Sequence, residues 1–278
     1  MEPSAGGLFI VPQLNPYYRV RRSPPMPTAD RPSPHVHPQW LGHTPYAQAW
    51  DLQTTLHREI VNRKLANRKR EQAGEAVEPQ SHHLLYVEHP PVYTLGKSGS
   101  VDNLLLSEEE LSAQGFTFHK INRGGDITYH GPGQLVAYPL FDLEEFFTDV
   151  HRYVRSLEEV VIRTCADFGI EAGRDPGFTG VWLAGDPARR QPRRKICAIG
   201  VHLSRWTTLH GFAFNVRPNL THFGNIVPCG INEDNRSVTS LAVEIGRPVE
   251  LEEVKPHVLR HFTELFGFSL ASSTKLPA

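Results

Sequence analysis

The sequence predicts a single α+β domain. Three observations point there. Short apolar runs with strand character fill the middle of the chain. Stretches with helical periodicity lie early, near residue 150 and near the C-terminus, rather than alternating with single strands. No internal repeat divides the chain, and 278 residues suffice to bury a sizeable core.

The elements follow in order. Residues 1 to 40 hold nine prolines, at 3, 12, 16, 24, 25, 27, 32, 34 and 38, and read as an extension that resists packing. Tyr46, Trp50, Leu56 and Ile60 predict one apolar helix face, which frays into a charged segment at 62–80. Leu84 to Val87 reads as a buried strand, Pro90-Pro91 as a break, and Val92 to Leu95 as a resumed extended segment. Phe116–Ile121 leads into a glycine-rich stretch, and Leu135–Leu140 leads out. Phe147, Val150, Val154, Leu157, Val161, Cys165 and Phe168 predict a helix over 144–168, with Gly169 after its end. Residues 180–183, 196–203 and 209–216 read as adjacent strands. A last helix over 253–266 uses Val254, Val258, Phe262 and Leu265, with Pro256 in its first turn. The domain thus spans 41–270, with a tail at 271–278.

Composition excludes several classes. A net charge of −1 gives no support to nucleic-acid binding. No apolar run approaches the roughly 18 residues of a membrane span, and Leu8–Val11 is too short for a secretory core. Arg19, Arg21 and Arg22 suit a mitochondrial leader, but the surrounding prolines break its helix. Three cysteines, Cys165, Cys197 and Cys229, argue against a disulfide framework and for a reduced, cytoplasmic setting. No Cys or carboxylate stands at ligand spacing from the paired histidines 35/37 and 82/83, so no metal is expected.

The chemistry concentrates in three stretches. Arg123-Gly124-Gly125-Asp126-Ile127-Thr128-Tyr129-His130-Gly131-Pro132-Gly133-Gln134 combines four glycines with Arg, Tyr and His. Glycine lets backbone N–H groups approach a ligand, so the run reads as a ligand-cradling loop. Lys195-Ile196-Cys197-Ala198-Ile199-Gly200 opens a predicted strand. Pro228-Cys229-Gly230 sets a thiol in an exposed turn, whereas Cys165 falls on the core face of its helix. Cys229 is therefore the best nucleophile of the three. His130 and His210 each read either as polar site groups or as partners for backbone; His130 sits inside the glycine signature and has the stronger claim.

With Glu88-His89-Pro90-Pro91-Val92-Tyr93-Thr94-Leu95-Gly96 and His210-Gly211-Phe212-Ala213-Phe214-Asn215-Val216, these runs resemble the octanoyltransferase family of lipoate biosynthesis over Tyr46 to Gly267. The resemblance implies a mixed β-sheet with flanking helices, shared with biotin and lipoate protein ligases. It implies transfer of an octanoyl group from octanoyl-acyl carrier protein to a lysine of a lipoyl domain, of 2-oxoacid dehydrogenase complexes or of glycine cleavage H protein. Cys229 would carry the acyl group and Lys195 assist. Arg123 to His130, Ala198, Ile199 and Gly200, and Gly211, Phe212 and Ala213 would line the acyl and pantetheine channel. A cationic Lys195 would favour the thiolate, the attacking form.

Rival readings are an ATP-dependent lipoate or biotin protein ligase, a non-catalytic acyl-carrier-binding protein and a cysteine hydrolase. The thioester already activates the acyl group, and no G-x-x-x-x-G-K-[ST] loop is present, so no nucleotide is expected. Arg189, Arg190, Arg193 and Arg194 precede Lys195 on a turn. They read either as a solvated tip or as a basic lure for an acidic carrier protein.

Overall fold

A computed structural model of the chain describes residues 33–188, 190–227 and 236–271. In chain order the elements are β1 (His35–His43), α1 (Tyr46–Ala73), β2 (His82–Glu88), β3 (Val92–Leu95), α2 (Glu108–Ala113), β4 (Thr117–Lys120), β5 (Ile127–His130) and β6 (Gln134–Leu140). There follow α3 (Val150–Asp167), β7 (Gly173–Asp175), β8 (Phe178–Leu183), β9 (Arg194–Ser204), β10 (Thr207–Asn215), β11 (Ser237–Val238), α4 (Leu241–Ile245), α5 (Leu251–Phe266) and β12 (Ser269–Leu270). The fold is α+β. A nine-stranded mixed sheet runs β12-β1-β2-β6-β10-β9-β8-β7, with β11 joined to β9, and a smaller sheet runs β4-β3-β5.

The large sheet is covered differently on its two faces. Leu135, Ala137, Cys197, Phe212 and Phe214 point to one face, where they pack with Leu157, Val161 and Cys165 of α3 and Val254, Val258 and Phe262 of α5. Val136, Tyr138, Leu140 and Ala213 point to the other, against Ala49, Leu56 and Ile60 of α1. Strand alternation sorts one apolar run into two cores. The small sheet has its own core of Tyr93, Phe116, Ile127, Tyr129 and Phe223.

Several boundaries differ from the sequence reading. The extension expected over 1–40 gives way to β1 at His35, which pairs in parallel with β2; residues 1–32 and 272–278 lie outside the described residues. Helix α1 does not fray at 62 but continues to Ala73, where Gly74 closes it with φ 72°. Its polar second half is tied down: Asn67 both donates to the Glu78 carbonyl and accepts from the Glu78 N–H, and Lys64 is buried on Asp142 at 2.7 Å. Helix α3 begins at Val150 under an Asp149 cap rather than at 144. The second half of the glycine signature is not loop: Ile127–His130 form β5.

Lys64 has a second task. The β9–β10 hairpin turns through Arg205 and Trp206, with φ of 52° and 63°, a left-handed pair that normally uses Asn or Gly. Lys64 Nζ donates to the Arg205 carbonyl at 2.7 Å, and Leu143 N to the Trp206 carbonyl at 2.8 Å. These bonds hold the strained turn. Replacing Lys64 with Met would leave Asp142 buried without its cation. The expected loss of stability in urea unfolding is about 3–5 kcal/mol; a loss below about 1 kcal/mol would show that the pair is not needed.

Candidate active site

A cavity of about 280 Å³ lies between the two sheets. Alternation on the large sheet builds its floor: Gln134, Val136 and Tyr138 from β6, Gly211, Ala213 and Asn215 from β10, Ala198 and Gly200 from β9. The middle of this floor is Val136, Ala213 and Ala198, in register across three strands. Two alanines there leave room for a ligand. Ile127, Thr128 and His130 of β5 with Tyr46 of α1 complete the walls.

Arg123 organises one end. Its guanidinium donates from Nη2 to the Thr94 carbonyl at 2.6 Å and to Thr94 Oγ1 at 3.0 Å, and from Nη1 to the Gly124 carbonyl at 3.0 Å. It is 8 % exposed, and no carboxylate among the described residues pairs with it. Its Nε has no hydrogen-bond partner. Glycines make this burial possible. A Cβ on Gly200 would sit 2.9 Å from Arg123 Cδ, and one on Gly96 would sit 2.9 Å from Nη1. Neither glycine belongs to the run read as a ligand-cradling loop; both lie where a Cβ would crowd the guanidinium.

From Arg123 a buried polar chain runs to the opposite end. Thr94 Oγ1 lies 3.4 Å from His130 Nε2, and His130 Nδ1 lies 3.2 Å from Gln134 Oε1. Gln134 Nε2 donates to the Tyr129 carbonyl and to Asn215 Oδ1, and Asn215 Nδ2 donates to the Thr239 carbonyl. Two carbonyl acceptors fix both amides, so Gln134 Oε1 accepts from His130 Nδ1–H. His130 therefore presents an unprotonated Nε2 to the Thr94 hydroxyl. His89 has the same tautomer, with Nδ1 on the Thr44 carbonyl and Nε2 on the Tyr138 hydroxyl. Burial holds His130 well below its ordinary pKa, with His89 and Arg123 adding to the effect, and holds His89 at about 4. His210, at φ 61° on β10, lies at about 3 for the same cause, with Arg123 the second. Its Nε2 meets Asn122 Oδ1 at 2.8 Å, and its Nδ1 has no partner.

The other end carries Lys195. Its side chain lines the cavity, with Nζ 4.5 Å from the centre of the Trp182 ring. β11 pairs in parallel with β9 at this point, Val238 opposite Lys195, and Thr239 N donates to the Lys195 carbonyl at 3.0 Å. Cys229 lies outside the described residues. Of the residues flanking that segment, Arg236 is held at this end, where it donates to Asp175 at 3.0 Å and stacks over Phe178, while Val227 N donates to the carbonyl of Asn103, whose side chain holds Asp126. The other two thiols are buried, Cys165 pushed up to about 12 and Cys197 well above its ordinary value by burial.

Of the residues expected in the channel, Arg123, Gly125, Asp126, Ile127, Thr128, His130, Ala198, Gly200, Gly211 and Ala213 line the cavity. Ile199 and Phe212 reach it too, though their side chains belong to the core under α3 and α5. Gly124 and Tyr129 do not. Gly124 is exposed and donates its N–H to Val201, and the Tyr129 ring is buried in the small sheet with its hydroxyl on His222. Tyr46, Gln134, Tyr138 and Asn215 were missed; the alternation along β6 was the available signal for two of them. The basic turn is partly spent on the fold. Arg194 forms a two-pronged pair with Glu244, and Arg193 pairs with Asp175. Arg190 is exposed, and Arg189 is outside the described residues.

Residues 45–263 match the lipoyl protein ligase A/B catalytic domain. An octanoyltransferase of Flavobacterium johnsoniae is 54 % identical over 230 residues, 82 % of this chain and 95 % of that protein. One of Solibacter usitatus is 45 % identical over 238 residues, covering 86 % and 96 %. Among solved structures, a bipartite lipoate protein ligase from Thermoplasma acidophilum aligns at TM-score 0.61 and 17 % identity, over 87 % of this chain and 88 % of that one. Lipoate-protein ligase A bound with ATP aligns at TM-score 0.61 and 14 % identity, over 87 % and 89 %. These two likenesses establish the fold.

The neutral histidines make the fold acid-labile. His83 and His89 at about 4, His210 at about 3 and His130 well below 6.5 each bind a proton more readily when unfolded. Their contribution is complete above pH ~6.5 and is lost as pH falls towards ~4, at roughly 1.4 kcal/mol per pH unit per group. Urea unfolding between pH 7 and 5 should show a steep fall in stability with net uptake approaching four protons. His83→Gln should remove about one. A flat profile over this range would contradict the assignment.

Proposed function

Because the chain belongs to the octanoyltransferases of the lipoyl protein ligase A/B catalytic family, we propose that it carries the octanoyl group of lipoate biosynthesis as a thioester on Cys229, with Lys195 as its partner. The observation that supports this reading most is the junction at one end of the cavity. Lys195 lines the cavity where β11 joins β9, and Arg236, which follows the segment bearing Cys229, lies over the same Trp182 ring as Lys195.

The chemistry divides into two exchanges. The Cys229 thiolate attacks the carbonyl of octanoyl-acyl carrier protein; the new S–acyl bond forms as the carrier thiolate leaves and takes up a proton. The amine of a lipoyl-domain lysine then attacks the acyl-enzyme, the amide forms, and Cys229 leaves as thiolate while the amine loses its proton. Lys195 favours the thiolate electrostatically and is the group that moves the proton in each half. Each unit by which it depresses the thiol pKa corresponds to about 1.4 kcal/mol. The cavity suits the cargo: alanine methyls and Val136 line its centre, and each methylene buried there contributes about 0.8 kcal/mol. The buried histidines are neutral, so their part is to fix the walls.

Neither nucleotide nor metal enters this scheme. Among the described residues no group of three or more His, Cys, Asp or Glu is placed to hold a metal ion. No helix among them is long and apolar enough to cross a membrane. A reduced, cytoplasmic setting is part of the proposal, since it keeps Cys229 as a thiol.

Incubation with octanoyl-acyl carrier protein, without nucleotide and with EDTA, should add one octanoyl mass to the intact protein. Cys229→Ser should abolish the adduct, while Cys165→Ser and Cys197→Ser retain it. A strict requirement for ATP would move the chain to the ligase reading, and an adduct surviving Cys229→Ser would refute the thiol assignment. Alkylation of Cys229 against pH should give a midpoint below the ~8.5 of a free thiol. Lys195→Ala should raise that midpoint; identical profiles would remove Lys195 from its role.

A further inference from the structure

The cavity has a length as well as a composition. Across its floor the rows are Gln134 with Asn215, then Val136 with Ala213 and Ala198, then Gly211 with Gly200. Four residues of β10 separate Asn215 from Gly211, about 13 Å of extended strand. An extended eight-carbon chain is roughly as long as three strand residues, about 10 Å. A chain starting near the Lys195 end therefore crosses the alanine row and stops short of Gly200.

What stands at Gly200 is Arg123. Its Cδ packs where a Gly200 side chain would be, and its guanidinium crosses to Thr94 of the small sheet. Three hydrogen bonds hold it. Swinging it aside would break these bonds and leave the Thr94 and Gly124 acceptors without their donor. Its unpartnered Nε is buried at the same end. A longer chain would press methylenes against a cation whose nearby carboxylate, Asp126, makes no close ion pair with it, and would strip it of any remaining solvation.

We propose that Arg123 is the end wall of the acyl cavity and sets the length of the acyl chain at about eight carbons. The assignment rests on the thioester chemistry at the Lys195 end. It differs from a general binding role, because it discriminates between chains rather than binding all of them better.

The experiment compares wild type, Arg123→Met and Arg123→Lys with C6, C8, C10 and C12 acyl-pantetheine thioesters, reading kcat/KM for acylation, with thermal melting to confirm folding. Wild type and Arg123→Lys should lose activity steeply beyond C8. Arg123→Met should raise the C12-to-C8 ratio about tenfold or more, since each extra buried methylene is worth about fourfold. A purely structural role would lower all lengths together. A folded Arg123→Met with an unchanged ratio overturns the proposal. Should that variant fail to fold, Arg123→Gln decides: shorter and uncharged at the same end, it should also raise the C12-to-C8 ratio, and an unchanged ratio overturns the proposal. Wild type that accepts no thioester at all would mean that the thiol chemistry has failed, and the length assignment falls with it. Normal acylation with an unchanged length profile would sink the length assignment alone.

Discussion

A buried guanidinium that makes no close ion pair with a carboxylate among the described residues is the constraint around which this site is arranged. Arg123 makes three hydrogen bonds to Thr94 and Gly124, all to neutral acceptors. Desolvating an arginine is costly, and neutral acceptors recover only part of that cost. The neighbourhood is shaped to permit it. A Cβ on Gly96 would meet the Gly125 carbonyl and Arg123, and one on Gly200 would meet Arg123 Cδ and the Gly124 carbonyl, each at 2.9 Å, so both positions need glycine. The positive charge also helps to keep nearby histidines neutral, since Arg123 contributes to the lowered pKa of both His130 and His210.

The same residue ties the two sheets into one cavity. It reaches from Gly200 on β9 to Thr94 on β3, and the polar chain from Thr94 through His130, Gln134 and Asn215 ends at Thr239, whose N–H holds the Lys195 carbonyl. Backbone carbonyls fix the amides of Gln134 and Asn215, and through them the donors and acceptors of the rest, so the chain is rigid rather than adaptable. A rigid polar lining around an alanine floor is suited to holding an apolar tail in one place. The account of function places reacting groups at one end of that chain and a steric and electrostatic stop at the other.

Much of this was legible in the sequence, for identifiable reasons. The periodicity from Val150 to Cys165 found α3 because that helix has one apolar face against one sheet. It failed on the second half of α1, where the residue that matters is Lys64, a charged side chain buried by a partner 78 positions away. The glycine run was visible, but Gly96 and Gly200 lie outside it, about a hundred residues apart, and become meaningful only when both touch Arg123. The strand β11, two residues long, has no pattern to detect, yet it anchors the segment next to Lys195. Alternation along β6 pointed to Gln134 and Tyr138, but Tyr46 on α1 and Asn215 on β10 reach the cavity only through the packing of separate elements, which no local spacing reveals. Arg193 and Arg194 looked like a lure for a carrier protein, but Asp175 and Glu244 neutralise them in the fold.

The most direct test is a crystal structure of the enzyme with an octanoyl-pantetheine analogue in which a methylene separates the sulfur from the carbonyl, a ketone that mimics the bound donor without reacting. The carbonyl end should lie beside Lys195 and Cys229. The tail should cross Ala198, Ala213 and Val136, and the terminal methyl should stop against Arg123 over Gly200. A tail running out between other elements, or a methyl group that ends well short of Arg123 in an otherwise open cavity, would contradict the account.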